Sequence, residues 1–123
     1  MVNSIDEFEN WVKMKTMSVS SLPEKLKGVY ILIDNDVIKY RKGDSNILYI
    51  GRTDNFMRRM FGNYIGNIGG KTTQRIHRLL FEKEYIKRVT IGFKICDEIK
   101  TEEKRLLHQF IKRYGEKPIW NKR

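Results

Sequence analysis

Two apolar runs, GVYILI at residues 28–33 and NILYIG at residues 46–51, constrain this chain more than any other feature. Both are rich in β-branched and aromatic residues, which favour a pleated, partly buried surface. Asp34, Asn35 and Asp36 follow the first run, and KGDSN leads into the second. Short polar side chains of this kind satisfy nearby backbone groups and favour turns. The runs therefore read as two strands of a hairpin, with residues 37–41 as a short intervening strand or an extended arm. Adjacent as well as alternate positions are apolar, so helices are expected over both faces. Gly28 and Tyr30 stand in the first strand, Tyr49 and Gly51 in the second. Two roles are open for the tyrosines. Their rings can simply pack. Their hydroxyls can also orient water or move a proton, provided positive charge or a metal offsets the usual pKa of about 10. The glycines either permit close backbone approach or only shape the strand ends.

The rest of the chain reads as helices around a further strand. Ser4 to Glu7 has the form of a capping box, and Ile5, Phe8, Trp11 and Val12 share a helical stripe. That pattern predicts a short amphipathic helix over residues 5–15. Thr53 is expected to cap a helix over residues 54–61, and the glycines at 62, 66, 69 and 70 mark a turning segment. A helix is expected over residues 72–84 and a third strand over residues 89–95. Thr101 is read as the cap of a last helix that Gly115 ends. The expected fold is α+β: a small three-stranded, largely antiparallel sheet flanked by helices. Residues 1–25 would form an N-terminal helix and connection, and residues 26–123 one compact unit with it.

Charge narrows the partners. Twenty-five Lys and Arg face fifteen Asp and Glu, a formal net charge of +10 on 123 residues. So positive a surface attracts polyanions, of which nucleic acid is the commonest; an acidic protein is the other class of partner. A single cysteine, Cys96, excludes an internal disulfide and a multi-cysteine zinc site. No apolar run approaches the roughly 18 residues of a membrane span, and the start lacks the pattern of a signal peptide. A cytoplasmic protein without a membrane partner is expected.

Several side chains can carry chemistry. Arg58 and Arg59 differ by about 100° around a helix, so only one of them can enter a given cleft. An arginine fork can hold a phosphate and stabilise charge in its transition state; a solvated surface pair is the plainer role. Glu102 and Glu103 suit the start of a helix, where exposed N–H groups favour acids. Either can also anchor Mg²⁺, which keeps several waters and needs few protein carboxylates; Asp97 and Glu98 compete for that role. His77 and His108 form no zinc motif.

Taken in order, these residues resemble the GIY-YIG nuclease family. Gly28-Val29-Tyr30 matches the first signature, with valine for isoleucine, and Tyr49-Ile50-Gly51 matches the second. Arg59 stands where the family carries its basic catalytic residue, Glu103 where it carries its metal-binding glutamate, and Asn121 resembles its terminal asparagine. The resemblance spans residues 26–121 and implies metal-dependent hydrolysis of DNA phosphodiester bonds. It implies Tyr30 as general base or water-positioning group and Tyr49 as part of the hydrogen-bond network. Arg59 would be the phosphate clamp, Glu103 the ligand of Mg²⁺ or Mn²⁺, and Asn121 a support for the site. The family often has His or Tyr one turn after the arginine; here that slot holds Asn63, with Tyr64 one residue on. Tyr64 and Arg52 are auxiliary candidates. Arg58, Lys71, Arg75, Arg78, Lys87 and Arg88 are read as cations along the nucleic-acid backbone, with solvation as their alternative. RNA remains a second substrate class, and a binder without turnover a second function.

Overall fold

The structure is a computed structural model that describes Phe8, residues 10–17 and residues 27–122. Its strands are β1 (Asn10–Lys13), β2 (Gly28–Tyr40), β3 (Gly43–Thr53) and β4 (Thr90–Ile95). They pair in the order β1-β4-β2-β3, each pair antiparallel. A π-helix (Arg58–Ile65) and the helices α1 (Lys71–Phe81) and α2 (Ile99–Tyr114) complete the main elements, with a 3₁₀ turn at Ile119–Asn121.

The sheet has four strands rather than three because residues 10–13 are not helical. They pair with β4 from Asn10 opposite Phe93 to Lys13 opposite Thr90, and Met14–Thr16 forms a 3₁₀ turn. The ring of Trp11 occupies the space above Gly92, where an added Cβ would come within 2.8 Å of it. An open edge on β4 and a glycine under the indole outweigh the helical spacing of the apolar residues. The capping box lies outside the described residues.

The turn expected at residues 34–36 is also absent. β2 runs on to Tyr40, with an irregular ladder between Ile33 and Ile38. Asp34 is 4% exposed, and Arg88 holds it through both oxygens, at 2.9 and 3.0 Å. That pairing compensates a buried carboxylate that would otherwise be costly. The chain reverses at Arg41 and Lys42 instead.

Two cores sit on opposite faces of the sheet. Tyr30, Leu32, Leu48, Ile91 and Phe93 pack with Phe56, Met60, Tyr64, Ile76 and Leu80. Val29, Ile31, Ile47 and Ile50 pack with Leu106 and Phe110 of α2. Burial of Leu106 and Phe110 contributes about 1.5–3 kcal/mol each and fixes the rotation of α2. Glu98, not Thr101, stands at the start of α2, and Gly115 closes it at φ 81° with its N–H on the Ile111 carbonyl, 2.7 Å. Among the described residues no helix is long and apolar enough to cross a membrane.

Candidate active site

Strand register explains the two tyrosines and the glycine of β3. Tyr30 lies directly opposite Gly51, and Leu32 opposite Tyr49. Tyr30 and Tyr49 are therefore diagonal neighbours on one face, with ring centroids 6.0 Å apart. Gly51 leaves the space into which both rings lean. A Cβ there would come within 2.6 Å of the Tyr49 ring and 2.7 Å of Cζ and Oη of Tyr30. Gly28 has a different reason: a Cβ there would lie 2.0 Å from the Lys94 carbonyl oxygen.

A third tyrosine completes the cluster. The hydroxyls of Tyr30 and Tyr64 are hydrogen-bonded, and both side chains are buried. Tyr64 stands five residues after Arg59, a separation that turns a side chain through roughly 140° in an α-helix of 3.6 residues per turn. The π-helix brings the two back to neighbouring positions, because its N–H groups reach back five residues rather than four. The Gly66 N–H bonds the Phe61 carbonyl at 2.8 Å, and a Cβ on Gly66 would collide with that oxygen and with the Gly62 carbonyl. Asn63 turns outward and donates to the Ile68 carbonyl. The helix begins at Asn55 rather than Thr53: Asn55 Oδ1 accepts from the Arg58 N–H at 3.0 Å, while Thr53 Oγ1 accepts from the Asn55 N–H at 3.1 Å.

Electrostatics ties Arg59 to all three phenols. Burial pushes the pKa of Tyr30 well above the ordinary value, and that of Tyr64 likewise. Burial also raises Tyr49, which the Tyr64 hydroxyl then draws back down through a hydrogen bond. The Arg59 guanidinium lowers each of the three, so its charge lies within reach of every hydroxyl. Arg59 Nε is itself buried and has no hydrogen-bond partner among the described residues.

Glu103 approaches from α2, on the other side of the sheet. β3 is an edge strand, so groups from its two faces can meet around its rim. Glu103 Oε1 accepts from Arg52 at 2.7 Å, and the negative charge of Glu103 raises Tyr49. Glu102 is engaged elsewhere. Hydrogen bonding from Arg105, and then from Lys94, holds its carboxyl at a pKa of about 2 despite the opposing cost of burial. Asp97 and Glu98 are exposed. Among the described residues no three His, Cys, Asp or Glu side chains gather as a metal cage. One carboxylate with room for water and phosphate oxygens still fits Mg²⁺, which is usually held that way.

Asn121 works on the backbone rather than in the cleft. Its Oδ1 accepts from the Ile50 N–H and its Nδ2 donates to the Ile50 carbonyl, both at 2.9 Å. It thus pairs with β3 between Tyr49 and Gly51. Arg75, expected along the nucleic-acid backbone, donates to the carbonyls of Trp120 and Lys122, and its charge lowers Tyr49. Arg88 is committed to Asp34 and lies 4.3 Å over the Tyr85 ring. Arg58 pairs with Asp54, Arg78 with Glu82 at 3.8 Å and Lys87 with Glu84 at 3.0 Å. Lys71 is exposed at the start of α1. His77 was not foreseen as part of the site: its Nδ1–H donates to the Tyr64 carbonyl at 2.6 Å and holds the end of the π-helix. No sequence signal links two residues so placed; only the packing of α1 brings them together.

The GIY-YIG catalytic domain family matches residues 26–115, most of the chain. The chain belongs to that family. No curated protein and no solved structure matches it significantly. In this GIY-YIG protein the matched segment includes both tyrosine signatures, Arg59, Tyr64 and Glu103, whereas Asn121 lies beyond it. Membership makes it part of a nuclease superfamily.

Proposed function

We propose that this GIY-YIG protein is a divalent-metal-dependent endonuclease that hydrolyses DNA phosphodiester bonds. One observation carries the reading. Three tyrosine hydroxyls gather in the field of Arg59, whose buried Nε lacks a partner among the described residues. An unsatisfied buried donor costs about 1–3 kcal/mol, and a phosphate oxygen would remove that cost. Arg59 then clamps the reacting phosphate and offsets charge that builds on its oxygens in the transition state. Tyr49, the partly exposed phenol, orients the attacking water. Tyr30 is the poorer base of the two, since burial holds its proton firmly; its bond to Tyr64 suits it to positioning.

In the reaction a water oxygen adds to phosphorus, one P–O ester bond breaks, and the departing oxygen takes up a proton. Glu103 is the proposed ligand of Mg²⁺, with Mn²⁺ as substitute. When bound, the ion supplies Lewis-acid stabilisation of phosphate charge. Asn121 keeps β3 straight beneath Tyr49 through its two bonds to Ile50.

The test is cleavage of duplex, nicked, branched and single-stranded DNA, with RNA alongside, in Mg²⁺. Product is expected from the wild type and none above background from Glu103→Ala. Equal product from both, or none from either, overturns the enzyme reading. A second reading, a binder without turnover, draws on the ion pair between Arg52 and Glu103, which already occupies one carboxylate oxygen. It predicts DNA retention that is the same with and without metal, and no product.

A further inference from the structure

A groove of about 450 Å³ opens beside Glu103, between β3 and the outer face of α2. Its cations are Arg52, Lys100 and Lys104, with the His108 imidazole at the far end. Leu107 and Ile111 form its apolar floor. These α2 residues share one face because they recur at three- and four-residue spacing. Burial of Leu106 and Phe110 against the sheet turns that face outward.

The two lysines differ from four of the six cations first read as the nucleic-acid track. Arg58, Arg78, Lys87 and Arg88 each have an acidic partner. Lys100 and Lys104 have none among the described residues, and both are exposed. Arg52 is engaged by Glu103, so the charge left uncompensated in the groove is that of the lysines. Residues 100, 104 and 108 lie four apart, a step of about 6 Å along a helix. That step is close to the separation of successive phosphates on one nucleic-acid strand. The apolar floor suits the sugar edges between them.

We propose that this groove holds the phosphodiester backbone of the nucleic-acid strand beside the scissile phosphate, with Lys100 and Lys104 each neutralising one phosphate. The inference rests on the nuclease reading, because it takes the side of the groove at Glu103 as the reacting side. It gives the substrate a path: along α2, past Glu103, from Lys100 towards His108.

The experiment measures binding of the whole chain to a fluorescein-labelled DNA duplex by anisotropy, in EDTA, from 50 to 200 mM salt. Each neutralised phosphate contributes about 0.9 to the slope of log K against log salt on duplex DNA. Lys100→Ala combined with Lys104→Ala is expected to make the slope shallower by about 1.8 and to weaken binding at least roughly tenfold at the low-salt end. Lys13→Ala combined with Lys39→Ala removes the same formal charge from exposed residues outside the groove and is expected to leave the slope unchanged. An unchanged slope in the first variant, or an equal change in the second, overturns the groove. Mg²⁺-dependent cleavage by the wild type is scored separately. Its absence overturns the nuclease reading, whereas cleavage with an unaltered slope in the lysine variant overturns only the groove.

Discussion

Gly51→Ala tests whether the tyrosine cluster is held by space or by chance. The added Cβ would sit 2.7 Å from Tyr30 Cζ, where ordinary contact begins at 3.4 Å. Relief requires the Tyr30 ring to move by roughly 0.7 Å, a strain of the kind that costs a packed core about 1–3 kcal/mol. Tyr30 is 1% exposed and Tyr64 blocks its tip, so the ring cannot swing into solvent. Stability in urea is expected to fall by that amount, with a melting temperature lower by about 4 °C for each kcal/mol. Catalysis should fall further than the loss of folded protein explains. Displacements near 1 Å can cost about 10²-fold in rate, so single-turnover cleavage at saturating protein is expected to drop at least roughly tenfold. Gly70→Ala is the control: a Cβ there meets nothing within 4 Å, and the change should cost less than about 1 kcal/mol. Wild-type melting and cleavage in Gly51→Ala would refute the argument that Tyr30 is fixed by this glycine.

Tyr64→Phe removes the hydroxyl that meets Tyr30 and leaves a buried phenol without that partner. It should destabilise by about 1–3 kcal/mol and slow cleavage while leaving DNA affinity unchanged, read by denaturation, single-turnover rates and anisotropy. Asn121→Ala loses both bonds to the Ile50 main chain. It should cost about 1–3 kcal/mol and lower the cleavage rate less than Glu103→Ala does. The carboxyl of Glu102 is held at about 2, below its ordinary value of 4.5, first by its hydrogen bond from Arg105. A depressed folded-state pKa gives stability that is full above the unfolded value and is lost as pH falls through 4.5 towards 2. Urea midpoints between pH 5 and pH 2.5 should therefore decline more steeply in the wild type than in Glu102→Gln. Parallel declines would remove Glu102 from the account.

Most of the framework could be read from apolar periodicity, and the failures have physical causes. The strands around Tyr30, Tyr49 and Phe93 were legible because their branched residues are buried by the helices above and below. β1 was not. Only Val12 among its residues is even half-buried, so an edge strand of this kind leaves no clear alternation to read. Residues 34–36 looked like a turn because nothing local announces that Arg88, 54 positions away, will neutralise Asp34. For the site, the order of the tyrosine signatures and of Arg59 was legible in the sequence, whereas the tie of Glu102 to Arg105 and Lys94, which leaves Glu103 beside Arg52, was not. The inward direction of Tyr64 was not, since it depends on the helix widening by one residue per hydrogen bond. The commitments of Arg75 and Arg88 are long-range pairings, which composition cannot distinguish from solvated charge.

The bond between Asn121 and Ile50 has a consequence beyond the reaction. β3 is the outermost strand on its side, and an open strand rim invites pairing with other chains. The side-chain amide imitates a neighbouring backbone at that rim, and the Ile119 N–H on Tyr40 Oη at 3.0 Å anchors the same segment farther along. Residues 119–121 thus act as a selvedge. Peeling them away would expose a template for self-association and at the same time draw Trp120 out of the core beside Tyr85.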